Sequence, residues 1–451
     1  MAELIEIREY EKITCNPNCR ELNQYRYVDE ETFSAIAEFI REYNGNATEE
    51  GSSDALEFLN HKGDKIAREV ISAQNYVGLI QPRRGIQVQI LPKIDFSTSE
   101  DRNQILSDTK RIFLKMLRSM KDFQGKAFKE ASMDVNRMNI YELFINMYLQ
   151  EVRLLLKHGI KSGYVTHEEN LRYFKGRLLV GENIRTNLAH KERFYMAYDE
   201  FDPNRSENKL IKSTLLKLLN LTQSATNAKE IRQMLGYLEM VEPSTNYALD
   251  FSKVAMDRTM QDYTVLLKWS KVFLYNKSFT TFSGRNDSRA LLFPMETLFQ
   301  DYVAQEIKRL FRSEGWSVQT QDRGYYLFDE PSKFALQPDI VMRRGNRTVI
   351  LDTKWKALSR QANNYGISQQ DMYQMYAYSR KYNTPEIWLL YPMNNNVRNC
   401  PPIQFVAKND GKLETKVRVF FVDLTVDDIQ RQCLWKLAAE VNNYDELADT
   451  V

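Results

Sequence analysis

Gln337-Pro-Asp-Ile-Val-Met-Arg-Arg-Gly-Asn-Arg-Thr-Val-Ile-Leu-Asp-Thr-Lys-Trp355 reads as two β-strands folded back on each other. The β-prone runs Leu336–Arg344 and Arg347–Lys354 flank Gly345-Asn346, a two-residue loop of the kind that closes a tight hairpin. Arg344 then faces Arg347, and following that register outward sets Asp339 opposite Asp352. Side chains directly across an antiparallel pair lie about 4.5–5.5 Å apart between Cβ atoms, where like charges repel. Strand side chains alternate between faces, so Lys354 projects on the same side as Asp352. Ile340, Val341, Met342, Val349, Ile350 and Leu351 make both faces apolar, as in a sheet covered on both sides. Two hard carboxylates converging on one point describe a Mg²⁺ site, with Mn²⁺ as a substitute, because such ions take one or two carboxylates plus water and phosphate oxygens. An ion there acidifies water and offsets charge on a phosphate, and a neighbouring lysine orients the water or holds the developing charge. The pattern therefore points to a phosphodiesterase. On spacing alone the blander alternative stays open, in which Asp339 and Asp352 are exposed hairpin residues neutralised by Lys354, Arg343 and Arg344.

The flanking elements extend the picture. Periodicity predicts an amphipathic helix over Phe293–Arg312 closed near Gly315, a strand over Trp316–Thr320, the hairpin, a helix over Gln369–Tyr382 and a strand over Glu386–Tyr391, an α-β-β-β-α-β order. Ser368-Gln-Gln-Asp371 resembles a capping box and starts the second helix, which puts Gln374 and Tyr378 on one face. Glu296, early in the first helix, offers a third carboxylate.

Upstream, Tyr76–Ile80 and Ile86–Leu91 frame Gln81-Pro-Arg-Arg-Gly85 as a hairpin, with Arg83 and Arg84 at its tip as candidate partner contacts, and Pro92 ends the strand. Helical spacing covers about 103–123 and 139–157, where Ile140, Phe144, Tyr148, Val152 and Leu155 trace one stripe that stops at Gly159. Lys161–Arg193 reads as a polar, loop-like stretch, a helix follows over about Glu207–Leu221, and 224–285 is mostly helical. Ser283-Gly-Arg-Asn-Asp-Ser288 is the best linker signal. The expected division is 1–130, a mixed β/α module; 131–283, mainly helical; and 284–451, the domain that carries the hairpin.

At 451 residues the chain exceeds the roughly 250–300 residues at which single cores stop growing, so two or three domains are expected. With 43% hydrophobic and 27% charged residues the composition is that of a globular protein and excludes wholesale disorder. No stretch approaches the roughly 20 apolar residues of a membrane span, the first residues lack the pattern of an export signal, and four cysteines make no disulfide framework, which together suggest the cytoplasm. Cys15 and Cys19 lack the second ligand pair that structural zinc requires. A net charge of +2 means that any nucleic-acid surface is local. Arg102, Lys110, Arg111, Lys115, Arg118, Lys121, Lys126 and Lys129, set against Asp108 and Asp122, form the one basic cluster, which reads equally well as a solvated helix face.

Gln337-Pro-Asp-Ile340 followed by Leu351-Asp-Thr-Lys-Trp355 resembles the PD-(D/E)xK nuclease motif, and Gln374-Met-Tyr-Ala-Tyr378 is similar to the QxxxY motif of its RecB-like branch. The chain more specifically resembles the McrC family, nuclease subunits of modification-dependent restriction systems, over about residues 139–451. His158-Gly-Ile-Lys-Ser-Gly-Tyr164, Lys175-Gly-Arg-Leu-Leu-Val-Gly-Glu-Asn-Ile184, Asn208-Lys-Leu-Ile-Lys-Ser-Thr214 and Phe293-Pro-Met-Glu-Thr-Leu-Phe299 carry the likeness, and Leu91-Pro-Lys-Ile94 is similar to longer members. The resemblance implies Asp339 and Asp352 as metal ligands, Lys354 as catalytic lysine, and Glu296 and Gln374 as active-site supports. It also implies double-stranded DNA as substrate and a hexameric AAA-type GTPase of the McrB kind as partner, stimulated by this chain and docked to residues 1–280. The sequence contains no G-x-x-x-x-G-K-[S/T] loop, so GTP belongs to the partner. A non-catalytic activator of the motor and a stand-alone nuclease are the competing readings.

Overall fold

The computed structural model describes residues 3–22, 24–49, 59–82, 86–94, 102–117, 140–254, 260–275, 289–408 and 414–448. The chain is a mixed α/β protein of two compact units, one formed by 1–123 with 280–451 and the other by 124–279. The first sequence segment, set apart above at 1–130, thus shares a unit with the third. Arg83, Arg84, Arg118, Lys121, Lys126, Lys129 and the linker Ser283–Ser288 lie outside the described residues.

The first unit begins with β1 (Glu3–Arg8), β2 (Lys12–Thr14), β3 (Tyr25–Tyr27), α1 (Glu30–Glu49), β4 (Leu59–Asp64), β5 (Arg68–Ala73), β6 (Tyr76–Gln81), β7 (Ile86–Leu91) and α2 (Arg102–Leu117). Asp29 caps α1 by accepting the Thr32 amide at 2.7 Å. Phe33, Ile36, Ala37 and Ile40, at helical spacing, pack with Ile5, Ile7, Ile13, Val88 and Ile90 into one core. β3-β2-β5-β4 form a small sheet; β1, parallel to β7, joins the β6–β7 hairpin in a second. The basic cluster on α2 is not an open face, because buried Lys110 pairs with Glu6 at 2.7 Å and Lys115 donates to the Val426 carbonyl.

The second unit comprises α3 (Ile140–His158), β8 (Gly163–Leu171), β9 (Arg177–Leu178), α4 (Val180–Asn187), β10 (Phe194–Asp202), α5 (Ser206–Leu221), α6 (Ala225–Tyr237), α7 (Tyr247–Lys253) and α8 (Gln261–Tyr275). Phe144, Tyr148, Val152 and Leu155 are buried, as the α3 stripe requires, and the helix ends at Gly159 with φ +86°. Lys161–Arg193 is not the loop that its polarity suggested. It holds β8 and α4, and β8 pairs with β10 from Gly163↔Asp202 to Phe194↔Leu171. Neither face of β8 is apolar, so the usual alternation is missing; polar cross-strand pairs such as Thr166 to Asp199 (2.7 Å) and Tyr198 to Glu169 (3.0 Å) hold the ladder. Gly176 has φ +78°, and a Cβ there would meet the Ala197 carbonyl oxygen at 2.3 Å, so only glycine fits. Buried Asn208 donates to the Lys161 and Pro203 carbonyls (2.9 and 2.7 Å) and accepts from the Tyr263 hydroxyl (2.8 Å), which ties α5 to α8 and to the entry of β8. Gly176 and Asn208 thus give two of the three family segments in this unit a structural explanation.

The chain returns to the first unit with β11 (Arg289–Pro294), α9 (Met295–Arg312), β12 (Ser317–Thr320), β13 (Tyr326–Phe328), β14 (Lys333–Ala335), β15 (Ile340–Arg344), β16 (Arg347–Thr353), α10 (Gln369–Lys381), β17 (Glu386–Pro392), β18 (Ile403–Ala407), β19 (Thr415–Val422) and α11 (Trp435–Ala448). β11 adds to β6, from Arg289↔Gln81 to Pro294↔Tyr76, and completes the order β1-β7-β6-β11. It runs straight into α9, so the amino-terminal sheet and the helix bearing Glu296 are one continuous piece. The six-stranded sheet has the order β12-β15-β16-β17-β19-β18, parallel across β16, β17 and β19 and antiparallel at both edges. Its central strands are buried on both faces, as their unbroken apolar runs demand. The hairpin β13–β14, inserted before β15, has exposed three-residue strands and left no sequence pattern. Among the described residues no helix is long and apolar enough to cross a membrane.

Candidate active site

β15 and β16 pair from Ile340↔Leu351 to Arg344↔Arg347 around Gly345, whose φ of +57° suits the first central position of a type II′ turn. Asp339 immediately precedes β15, and Asp352 is the penultimate residue of β16. One Asp339 carboxylate oxygen accepts the Thr353 amide (2.7 Å) and hydroxyl (2.6 Å), and the other accepts the Gln300 side-chain amide at 2.5 Å. The Lys354 ammonium lies 2.7 Å from Asp352 Oδ2 and donates to Gln374 Oε1 at 3.2 Å; the Gln374 amide donates to the Tyr378 hydroxyl at 2.7 Å. Ser368 caps α10 by accepting the Asp371 amide at 3.1 Å, which sets the phase that turns Gln374 and Tyr378 toward β16. The group sits at the carboxyl ends of the parallel strands β16 and β17, where open α/β sheets place ligands.

The bland alternative does not survive this geometry. Asp352 is 1% exposed, and Arg343 and Arg344 are engaged elsewhere: Arg343 pairs with Asp322 at 2.8 Å, and Arg344 lies over the Trp316 ring. Glu296 lines the same cleft but accepts from the Asn75 side chain at 3.4 Å, and among the described residues no three His, Cys, Asp or Glu converge closely enough to hold a metal. Protein ligation would therefore rest on the Asp339 and Asp352 carboxylates, with the remaining positions left to water and phosphate. That donor set suits Mg²⁺ or Mn²⁺. The cation beside buried Asp352 Oδ2 is the Lys354 ammonium at 2.7 Å, so a dication held there would share this oxygen with Lys354.

The electrostatics agree. Burial, then the charge of Asp339, pushes the Asp352 carboxyl up to about 7 against the pull of Lys354. Burial raises Asp339 too, although the Thr353 hydrogen bonds oppose the shift. Burial works against the Lys354 charge, but Asp352 and Asp339 outweigh it and raise its pKa, so it stays an ammonium at neutral pH. A dication must displace the Asp352 proton, so its apparent affinity is predicted to rise as pH climbs toward about 7, by up to ~10-fold per unit for one proton, and to level off above it. Calorimetric titration of metal-free protein with Mn²⁺ between pH 5.5 and 8.5 checks this; a flat profile would contradict it.

The site holds residues that sequence reasoning missed. A cleft of about 570 Å³ is lined by Tyr10, Asn75, Lys93 and Lys356 as well as by Glu296, Gln300, Asp339, Asp352, Lys354 and Gln374. Gln300 was legible, being one helical turn beyond Glu296. Tyr10 and Asn75 had no motif, and Lys93 lay in the Leu91-Pro-Lys-Ile94 segment with no role attached to it.

Comparison with known proteins agrees with this architecture. A family model described as McrBC 5-methylcytosine restriction system component matches residues 71–392. The match starts well before residue 139, where the resemblance above began, and so takes in β6 and β7. A chain of the refined half-complex from the tetradecameric assembly of Thermococcus gammatolerans McrB AAA+ hexamers with bound McrC shares the fold, with TM-score 0.65 and 18% identity over 95% of this chain and 98% of that one. A chain of the McrBC complex of the same organism, solved by cryo-electron microscopy, matches with TM-score 0.46 and 16% identity over 68% of this chain and 88% of that one. Among curated proteins none matches. The family model spans more than half of the sequence, and the chain belongs to the McrBC 5-methylcytosine restriction system component family.

Proposed function

We propose that the chain is the nuclease subunit of a GTP-driven restriction complex, a Mg²⁺-dependent endonuclease acting on double-stranded DNA with an McrB-like AAA partner. The observation that carries this reading is the convergence of Asp339, Asp352, Lys354 and Gln374 in one cleft. The succession α9, β12, β15, β16, α10, β17 around it supports assignment to the PD-(D/E)xK fold. When bound, the ion would supply positive charge at the scissile phosphate and acidify attacking water. Asp339 and Asp352 would hold it, with Asp339 fixed by Thr353 and Gln300. Lys354 remains protonated and offers its ammonium to the charge that builds on the phosphate, while Gln374 and Tyr378 hold it in place.

The bound McrC of the T. gammatolerans assembly supports a motor partner. We assign docking to the second unit, which exposes the large apolar side chains Tyr164, Phe174, Ile184, Leu188 and Phe201. The full chain mixed with a McrB-like partner, GTP, Mg²⁺ and methylated duplex DNA should give double-strand cleavage that depends on every component, and the chain alone should be nearly inert. GTPase stimulation without cleavage would favour a scaffold, and degradation of linear DNA by the chain alone would favour a stand-alone nuclease.

A further inference from the structure

The cleft has two walls, and the second is built entirely from the first hundred residues. Glu9 Oε2 accepts both the Lys93 backbone amide (3.0 Å) and the Trp355 indole N–H (3.1 Å). One buried carboxylate oxygen thus ties the backbone of Lys93 to the residue that follows Lys354. Tyr10, the next residue, adopts a left-handed backbone (φ +67°), uncommon outside glycine and characteristic of sites where the surrounding structure imposes a conformation. Its hydroxyl donates to Asn75, whose amide donates to Glu296, and its ring lies 4.3 Å from the Lys93 ammonium. A cation–π contact of this kind orients an ammonium without neutralising it.

Lys93 and Lys356 are the cationic side chains of the cleft besides Lys354, whose charge Asp352 takes up. Among the described residues neither Lys93 nor Lys356 forms a salt bridge or side-chain hydrogen bond. Lys93 is half-buried and Lys356 exposed. Glu9 and Glu296 attract the Lys93 ammonium without forming an ion pair with it and burial outweighs them, so it is suited to an anion that arrives with a ligand. Beside a carboxylate pair that would take the scissile phosphate, the anion on offer is the neighbouring backbone phosphate of the same strand.

Resting on the nuclease reading above, we propose that the amino-terminal segment completes the active site, with Lys93, steered by Tyr10 and seated by Glu9, gripping a DNA phosphate that flanks the one cut. Lys356 stands beside it as a second contact to the same backbone. The first hundred residues are then part of the cutting machinery rather than a separate recognition or docking module.

The test uses the full chain and a short duplex. Binding of the chain alone is measured with Ca²⁺ over a salt series, and cleavage with Mg²⁺, the McrB-like partner and GTP as a function of DNA concentration. Lys93→Gln should weaken binding about three- to tenfold and make the dependence of log affinity on log salt shallower by roughly 0.9, the contribution of one phosphate contact. Lys93→Arg should restore both, and the cleavage defect of Lys93→Gln should fall on KM. Wild-type affinity and salt slope in Lys93→Gln, or failure of Lys93→Arg to restore them, would overturn the proposal. If the wild-type chain binds DNA but never cuts it even with the McrB-like partner and GTP present, the nuclease reading fails while the salt slope still decides for or against Lys93. If it does not bind DNA at all, both fall.

Discussion

Replacement of Asp352 by asparagine should bring DNA cleavage to background, a loss of at least about 10³-fold, and should leave the protein folded. Asparagine keeps the shape of the side chain and removes the charge that would hold a dication. Because Asp352 is buried and its carboxyl is pushed up to about 7, the fold favours the protonated form. The stability that this group contributes is fully present below its unfolded value of about 4 and is lost as pH rises through about 7, where the ionised form must be kept in a buried site. At pH 8 in metal-free buffer, Asp352→Asn should therefore melt no lower than the wild type. Plasmid cleavage and thermal melting together check this: cleavage within tenfold of wild type would remove Asp352 from the chemistry, and a collapsed melt would reduce it to a structural role.

The second large effect concerns Lys354. Lys354→Met should lower cleavage by about 10²–10³-fold, the usual consequence of removing one preorganised group that faces developing charge. Its stability cost should grow with pH, because the substitution leaves the Asp352 carboxylate buried without its cation 2.7 Å away. At pH 6 the carboxyl can keep its proton and the cost is small. At pH 8 the buried carboxyl loses the stabilisation that Lys354 gives its ionised form in the wild type, and the melting temperature should fall relative to it, whereas adding Asp352→Asn to Lys354→Met should restore it. A stability loss that ignores pH, or a double variant weaker than Lys354→Met, would show that the ion pair is not the reason for the shift.

Much of the site was legible in the sequence because local geometry specifies it. Gly345-Asn346 closes the hairpin and so fixes its register, and a slip of one residue would have turned Asp352 and Lys354 away from the face of Asp339. Ser368 starts α10 and so sets the phase of Gln374. The parts that escaped are those that local patterns do not encode. β8 is polar on both faces and stands by cross-strand pairs, so its residues looked like a loop. The second wall of the cleft depends on contacts such as Asn75 with Glu296, whose partners are 221 residues apart, and on β11 adding itself to β6. The apparent basic face of α2 failed for a related reason, since the partners of Lys110 and Lys115 come from β1 and from the turn after β19.

The claim on which the account depends is that Asp339 and Asp352 together hold a divalent ion. Titration of metal-free protein with Mn²⁺ at pH 8, wild type beside Asp352→Asn, measures it without reference to DNA or partner. The account predicts saturable binding by the wild type that disappears in the variant. Equal binding by both would contradict it.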